Sequence, residues 1–195
     1  IGGLYKESGD ASKSMTAYQK ALAIYKEMET QTEYGELLED LAAGFIKMKD
    51  FQSGEKYYNE ALAFYKASKK RNKEAAVLSS LGDRYYSDQK YEQAEEFYVR
   101  AGEIQREIND RSGLMYTYTN RSNVSQYSKE DYKDAIGKIR EAYKLSLETG
   151  SETYMAFCEN KIGMLFSFLN EYDSALYYYD RSLTGYRKLE DKENE

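Results

Sequence analysis

Cys158 is the lone thiol of this 195-residue chain, and no histidine accompanies it anywhere in the sequence. A cysteine or serine nucleophile most often depends on a neighbouring imidazole, so neither a Cys-His pair nor a Ser-His-Asp triad can be assembled. The usual zinc site is excluded for the same reason, since it draws on several Cys and His side chains. One cysteine forms no internal disulfide, and a free Cys usually packs as a small hydrophobe.

The remaining candidates are carboxylates. Glu36 with Glu39, and Glu95 with Glu96, are two of many close pairs among 34 acidic residues. Such pairs do acid-base work only where their environments push their pKa values apart. Charge along repeat helices ordinarily lies on a solvated face, and these pairs are read that way. No GxxxxGK[ST], GxGxxG or GxSxG string and no calcium loop is present. The sequence therefore points to a chain that is not an enzyme, with no metal and no cofactor. Asn120-Arg-Ser and Asn123-Val-Ser fit the glycosylation sequon but fall inside a predicted helix, where an acceptor loop is not expected.

A net charge of −6 argues against nucleic acid as the partner of this segment. No apolar run approaches the roughly 18 residues of a membrane span, and no signal-peptide pattern opens the chain. A soluble segment is expected, in a compartment left open between cytoplasm and periplasm.

Those residues are carried by a strict register. Gly2, Ala42, Gly82, Ser122 and Gly163 are small residues separated by steps of 40, 40, 40 and 41. An aromatic follows at Phe51, Tyr91, Tyr132 and Tyr172, with Ala11 in the first copy, and three residues later stands Ser14, Gly54, Ala94, Ala135 or Ala175. A large residue comes four later (Tyr18, Tyr58, Tyr98, Ile139, Tyr179), then a small one after three more (Ala21, Ala61, Ala101, Ala142, Ser182). Steps of three and four return to one helix face. Each half of the unit is thus predicted as an amphipathic helix whose small residues let two backbones meet while aromatics fill the flanks. A hairpin of this kind buries its apolar face only against its neighbours, which predicts an all-α solenoid, one array over residues 1–195.

Helices are expected at about 10–29, 32–48, 51–70, 73–88, 91–108, 112–127, 131–149, 153–169 and 172–190. The chain lacks proline, so Asn72, Asn109-Asp110 and Thr149-Gly150 are the expected stops. The fourth copy has ten steps from Ser122 to Tyr132 where nine separate Gly82 from Tyr91, which predicts a wider loop around residues 127–130.

Leu81, Gly82, Tyr85, Ala94, Tyr98 and Ala101 in this register look like the tetratricopeptide repeat, in a form of about 40 residues. The resemblance covers the whole chain: a partial copy over residues 1–29, then 32–70, 73–108, 112–149 and 153–190. It implies about four and a half antiparallel helical hairpins, stacked as a right-handed superhelix. The opening IGGLYKESGD aligns with only the second half of a first helix, so the polypeptide is expected to be part of something longer. The fourth copy departs from the pattern, with Arg121 where Leu41, Leu81 and Ile162 stand. A buried guanidinium needs a partner; a side chain snorkelling into the groove or a local register shift are the alternatives.

In that family the first helices of successive hairpins line a concave groove. The resemblance implies that the residue after each small position faces it, namely Ala43, Asp83, Asn123 and Met164, as does the residue three before, namely Glu39, Ser79, Thr119 and Asn160. Adjacent turns add Tyr86, Tyr116, Gln126 and Phe157, with Tyr127 and Phe168 beside them. Asn123 and Asn160 carry both donors and acceptors and could hold the backbone of an extended peptide. Tyr116, Tyr127, Phe157 and Phe168 would add flat apolar area, or pack instead against neighbouring hairpins.

The resemblance implies a non-enzymatic scaffold for a protein or peptide ligand, and arrays of this kind resemble the sensory or regulatory segments of larger bacterial signalling proteins. The alternative is a stand-alone adaptor, or an accessory subunit of an enzyme or secretion complex. Leu176, Leu183, Tyr186 and Leu189 near the last helix end are expected to be covered by further chain or by self-association.

Overall fold

The structure, a computed structural model, describes residues 16, 20, 22–24 and 31–193. Eight helices run through residues 31–193: α1 (Gln31–Lys47), α2 (Phe51–Ala67), α3 (Arg71–Ser87), α4 (Tyr91–Glu107), α5 (Arg111–Lys129), α6 (Tyr132–Thr149), α7 (Glu152–Phe168) and α8 (Tyr172–Glu193). No strand occurs among the described residues. The expected helix over 10–29 lies mostly outside them, its described residues 16, 20 and 22–24 being helical. The chain forms two compact units, Ile1–Leu81 and Gly82–Glu195, with the boundary inside α3.

Helix ends are built without proline by a recurring turn. Lys49, Lys69, Gln89, Asn109, Glu130, Gly150 and Asn170 each take a positive φ, the left-handed conformation that closes a helix C-terminus. The next residue then bonds back five or six positions, as Asp50 N–H does to the Phe45 carbonyl at 2.9 Å and Glu171 N–H to Phe166 at 3.0 Å. Asp50, Asp110 and Asp131 cap the helices that follow, each accepting a backbone N–H three residues on. Two expectations are corrected here. The stop near residue 72 falls at Lys69 instead, and Asn72 lies in the first turn of α3. The extra residue of the fourth copy lengthens α5 to 19 residues, leaving only Glu130 and Asp131 between α5 and α6 rather than a widened loop.

In the first unit α1 packs on α2. Leu38, Leu41, Ala42, Ala61 and Tyr65 are fully or almost fully buried. Gly54 sits where α1 crosses closely: a Cβ there would lie 2.5 Å from Ile46 and 3.1 Å from the Ala42 carbonyl. In the second unit consecutive helices from α4 to α8 pack in sequence. Ala135, Ile139, Ala142, Cys158, Ile162 and Leu165 form the core of its later half, and Ala94, Tyr98 and Val124 that of its earlier half.

One pair of positions shows why the fourth hairpin departs from the template. Phe45 stacks on Tyr57 at 5.4 Å, Tyr85 on Phe97 at 5.2 Å and Phe166 on Tyr178 at 5.6 Å between ring centroids. The equivalent pair in α5 and α6 is Ser125 and Lys138, joined by a 2.6 Å hydrogen bond from the ammonium. Asp134 accepts from both, and Lys138 also lies 3.5 Å from Glu95. Glu95 in turn accepts Arg121 Nε at 2.9 Å and Nη2 at 2.7 Å. Arg121 is therefore paired back onto α4. No register shift is needed, because Ser122 keeps its small-residue place, fully buried and donating to the Ala135 carbonyl.

Candidate functional site

Most of the expected groove residues lie on the end of α3, on α5 and on α7, within the second unit, whereas Glu39, Ala43 and Ser79 belong to the first. Side chains tie these three elements together. Asp83 on α3 accepts the Tyr116 hydroxyl at 2.5 Å and the Asn120 amide at 3.3 Å, both from α5, while Tyr98 on α4 donates to it at 2.7 Å. Tyr86, one turn after Asp83, meets the exposed ring of Tyr127 edge-on, with centroids 6.3 Å apart. On the far side of α5, Thr119 shares a 2.8 Å hydrogen bond with Tyr154 of α7, and Lys161 of α7 donates to Gln126 at 2.8 Å.

The exposed part of this surface is aromatic and amide in character. Tyr116, Tyr127, Phe157 and Phe168 are all exposed. Phe157 leans on Tyr154, whereas Phe168 stacks flat on Tyr132 of α6 at 5.1 Å, so its ring is partly committed to the hairpin. Asn160 is exposed, and Asn123 and Met164 are half-buried. Gln126 is buried, its carbonyl occupied by Lys161, and so bridges α5 to α7 instead of presenting an open amide. Ser79, expected to face the groove from the first unit, is buried as well.

Burial and hydrogen bonding tune this surface. Burial, the bond to Asp83 and that carboxylate's charge push the Tyr116 hydroxyl up to about 12. The same causes raise Tyr98 beyond it, and burial with its neighbouring tyrosines takes Tyr86 to about 12. Lys161 moves the other way, to about 8, because it is desolvated on α7 with a neutral amide as its hydrogen-bond partner.

Several of these groups were not singled out in the sequence. Tyr98 reads there as filler beside Gly82, yet its hydroxyl anchors Asp83; Asn120, Tyr154 and Lys161 carried no register signal. The carboxylates taken as solvated are also partly engaged: Glu39 accepts Tyr65 at 2.5 Å, and its burial raises its pKa despite that bond. Cys158 is fully buried, and burial with the Glu159 charge pushes its thiol up to about 12, the opposite of an activated nucleophile. Among the described residues no three metal-ligating side chains converge, and no helix is long and apolar enough to cross a membrane. Elsewhere in this unit, a cavity of about 400 Å³ lies between α6, α7 and α8. The buried Glu159 on its wall is bonded by Tyr143 and Arg181.

The profile of the tetratricopeptide repeat family matches residues 33–107. That stretch is tetratricopeptide repeat. The continuation of the same register to residue 182 fits the fold of the solved tetratricopeptide-like proteins this chain resembles. BtubC (BKLC) from P. vanneervenii superposes with a TM-score of 0.80 at 18% identity, covering 97% of this chain and 78% of that one. Apo RapI gives 0.85 at 19% identity over 96% of this chain and 52% of its own. A Rap protein complexed with Competence and Sporulation Factor gives 0.68 at 19% identity, over 98% and 53%. The chain thus spans about half the length of these Rap structures. No curated protein matches the sequence. At these identities the likeness extends to the tetratricopeptide-like fold, and the face across α3, α5 and α7 has to be argued from its own residues.

Proposed function

We propose that this chain is a protein-interaction scaffold that holds an extended peptide segment on the face formed by the end of α3, α5 and α7, as a regulatory segment of a larger bacterial signalling protein. The observation that carries the reading is the pair Asn123 and Asn160. No hydrogen bond occupies either side-chain amide among the described residues, and exposed Tyr127 and Phe157 stand on the same two helices. Amides of this kind meet peptide N–H and C=O groups, and the rings supply area at low entropic cost. Binding rather than catalysis fits a chain without histidine whose one thiol is buried. The Rap protein solved with Competence and Sporulation Factor supports the reading as a bound relative of the same fold.

A display selection of short random peptides on the intact chain tests it, counter-selected on the Asn123→Ala, Asn160→Ala double variant. Enrichment of sequences that depend on the two asparagines supports the reading. Enrichment indifferent to them moves the interface elsewhere. Self-association is the second reading, because α8 leaves Leu176 67% and Leu183 48% exposed; sedimentation of the chain across concentrations tests that separately.

A further inference from the structure

We propose that Asp83, with Tyr86, Tyr116 and Tyr127 around it, recognises a basic side chain, lysine or arginine, of the bound segment. The proposal rests on the peptide-binding reading above and names the ligand chemistry at one end of that face.

Asp83 carries no ion pair, unlike several buried or half-buried carboxylates of its unit. Glu95 meets Arg121 and Lys138, Asp134 meets Lys138, Glu152 meets Lys188, and Glu159 meets Arg181. Asp83 is held by neutral groups, two tyrosines and an asparagine, and it forms no ion pair among the described residues. Arg84, next to it in sequence, is paired to Asp88. Neutral donors hold a carboxylate in place without cancelling its charge, so the field remains available to a ligand.

The acceptor capacity is also unfilled. Oδ1 receives Tyr98 and Asn120, whereas Oδ2 receives only Tyr116, and each carboxylate oxygen has about two lone-pair sites. Access lies on the side of Tyr116, which is 43% exposed. Tyr86 lies three residues from Asp83 and so on the same side of α3, with Tyr127 against its ring. Tyrosine faces attract a cation, and they cover the aliphatic stem that lysine or arginine lays along apolar surface. An acidic side chain would meet repulsion here, and an apolar one would leave the second acceptor site of Oδ2 unfilled.

The test is an NMR titration of the intact chain with three terminally blocked tripeptides carrying arginine, norleucine or glutamate between glycines. The arginine peptide is expected to shift the amides of residues 82–87 and 116–127 and to bind about tenfold tighter than the norleucine peptide, ~1.4 kcal/mol. That preference should shrink as salt is added and vanish in Asp83→Asn. Tyr127→Ala, which keeps the carboxylate network, should weaken the arginine peptide severalfold and guards against a folding defect in Asp83→Asn. Equal binding of arginine and norleucine peptides overturns the cation site and leaves the peptide-binding reading standing. A preference for the glutamate peptide, with shifts centred on Lys161, also overturns it. No shift with any peptide removes both.

Discussion

Tyr98 meets Asp83 through its hydroxyl, 2.7 Å from the carboxylate, while its ring fills the space beside Gly82, the residue before Asp83. One side chain thus performs a packing task and a polar task. It ties the template of the repeat to the face proposed to hold a ligand.

Replacing Gly82 should therefore destabilise the second unit. A Cβ there would fall 2.6 Å from the Tyr98 ring, and overpacking of this kind costs about 1–3 kcal/mol. Gly82→Ala is expected to lower Tm by about 2–4 °C per kcal/mol in a chain of this size. Gly137→Ala, in open space on α6, should instead raise stability by about 0.5–1 kcal/mol. Thermal unfolding of the two variants checks both signs.

That register was legible from small residues and aromatics because backbone crossings tolerate few alternatives, and Gly82, Gly163 and Ser122 all stand at close contacts. The stops were half legible. Asn109 and Gly150 are residue types that favour positive φ, but Lys49, Lys69 and Gln89 adopt it with no compositional signal. The site was less legible still. Asn123 and Asn160 follow from register, whereas the Asp83 cluster depends on hydroxyls and amides reaching across helices, which no one-dimensional spacing records. Arg121 looked anomalous alone and makes sense only with Ser125 and Lys138, three departures from the template that Glu95 joins into one network.

The tyrosines give the chain an alkaline limit. Tyr98 and Tyr116 titrate higher when folded than the ordinary 10.0. Their raised folded values contribute stability that is fully present below about pH 10 and is lost as pH climbs through the folded values. Stability should fall from about pH 10 upward, and Tyr98→Phe should flatten that fall while costing stability at neutral pH. Chemical denaturation across pH, with tyrosinate absorbance followed in parallel, measures both.

Lys161 acts in the opposite sense. Its folded value near 8 lies below the ordinary 10.5, so the folded state binds fewer protons, and stability from this group rises with pH between about 8 and 10. The stability difference between the wild type and Lys161→Met should accordingly shift in the wild type's favour over that window. A difference that stays flat would place the ammonium in water.

Cys158 should be silent until the fold opens. Its thiol is fully buried and raised to about 12, so a thiol reagent at neutral pH should label it only at the rate of unfolding. Labelling kinetics with and without denaturant distinguish this from an accessible thiol, which would react at once.

In the function proposed above, Asn123 and Asn160 hold a ligand and not the fold. Calorimetric binding of a display-selected peptide to the wild type and to the Asn123→Ala, Asn160→Ala variant, with Tm recorded for each, tests it most directly. An affinity loss of at least about tenfold, ~1.4 kcal/mol, is expected, with stability changed by no more than ~0.5 kcal/mol per site. Unchanged affinity, or a variant that unfolds while binding as before, would contradict it.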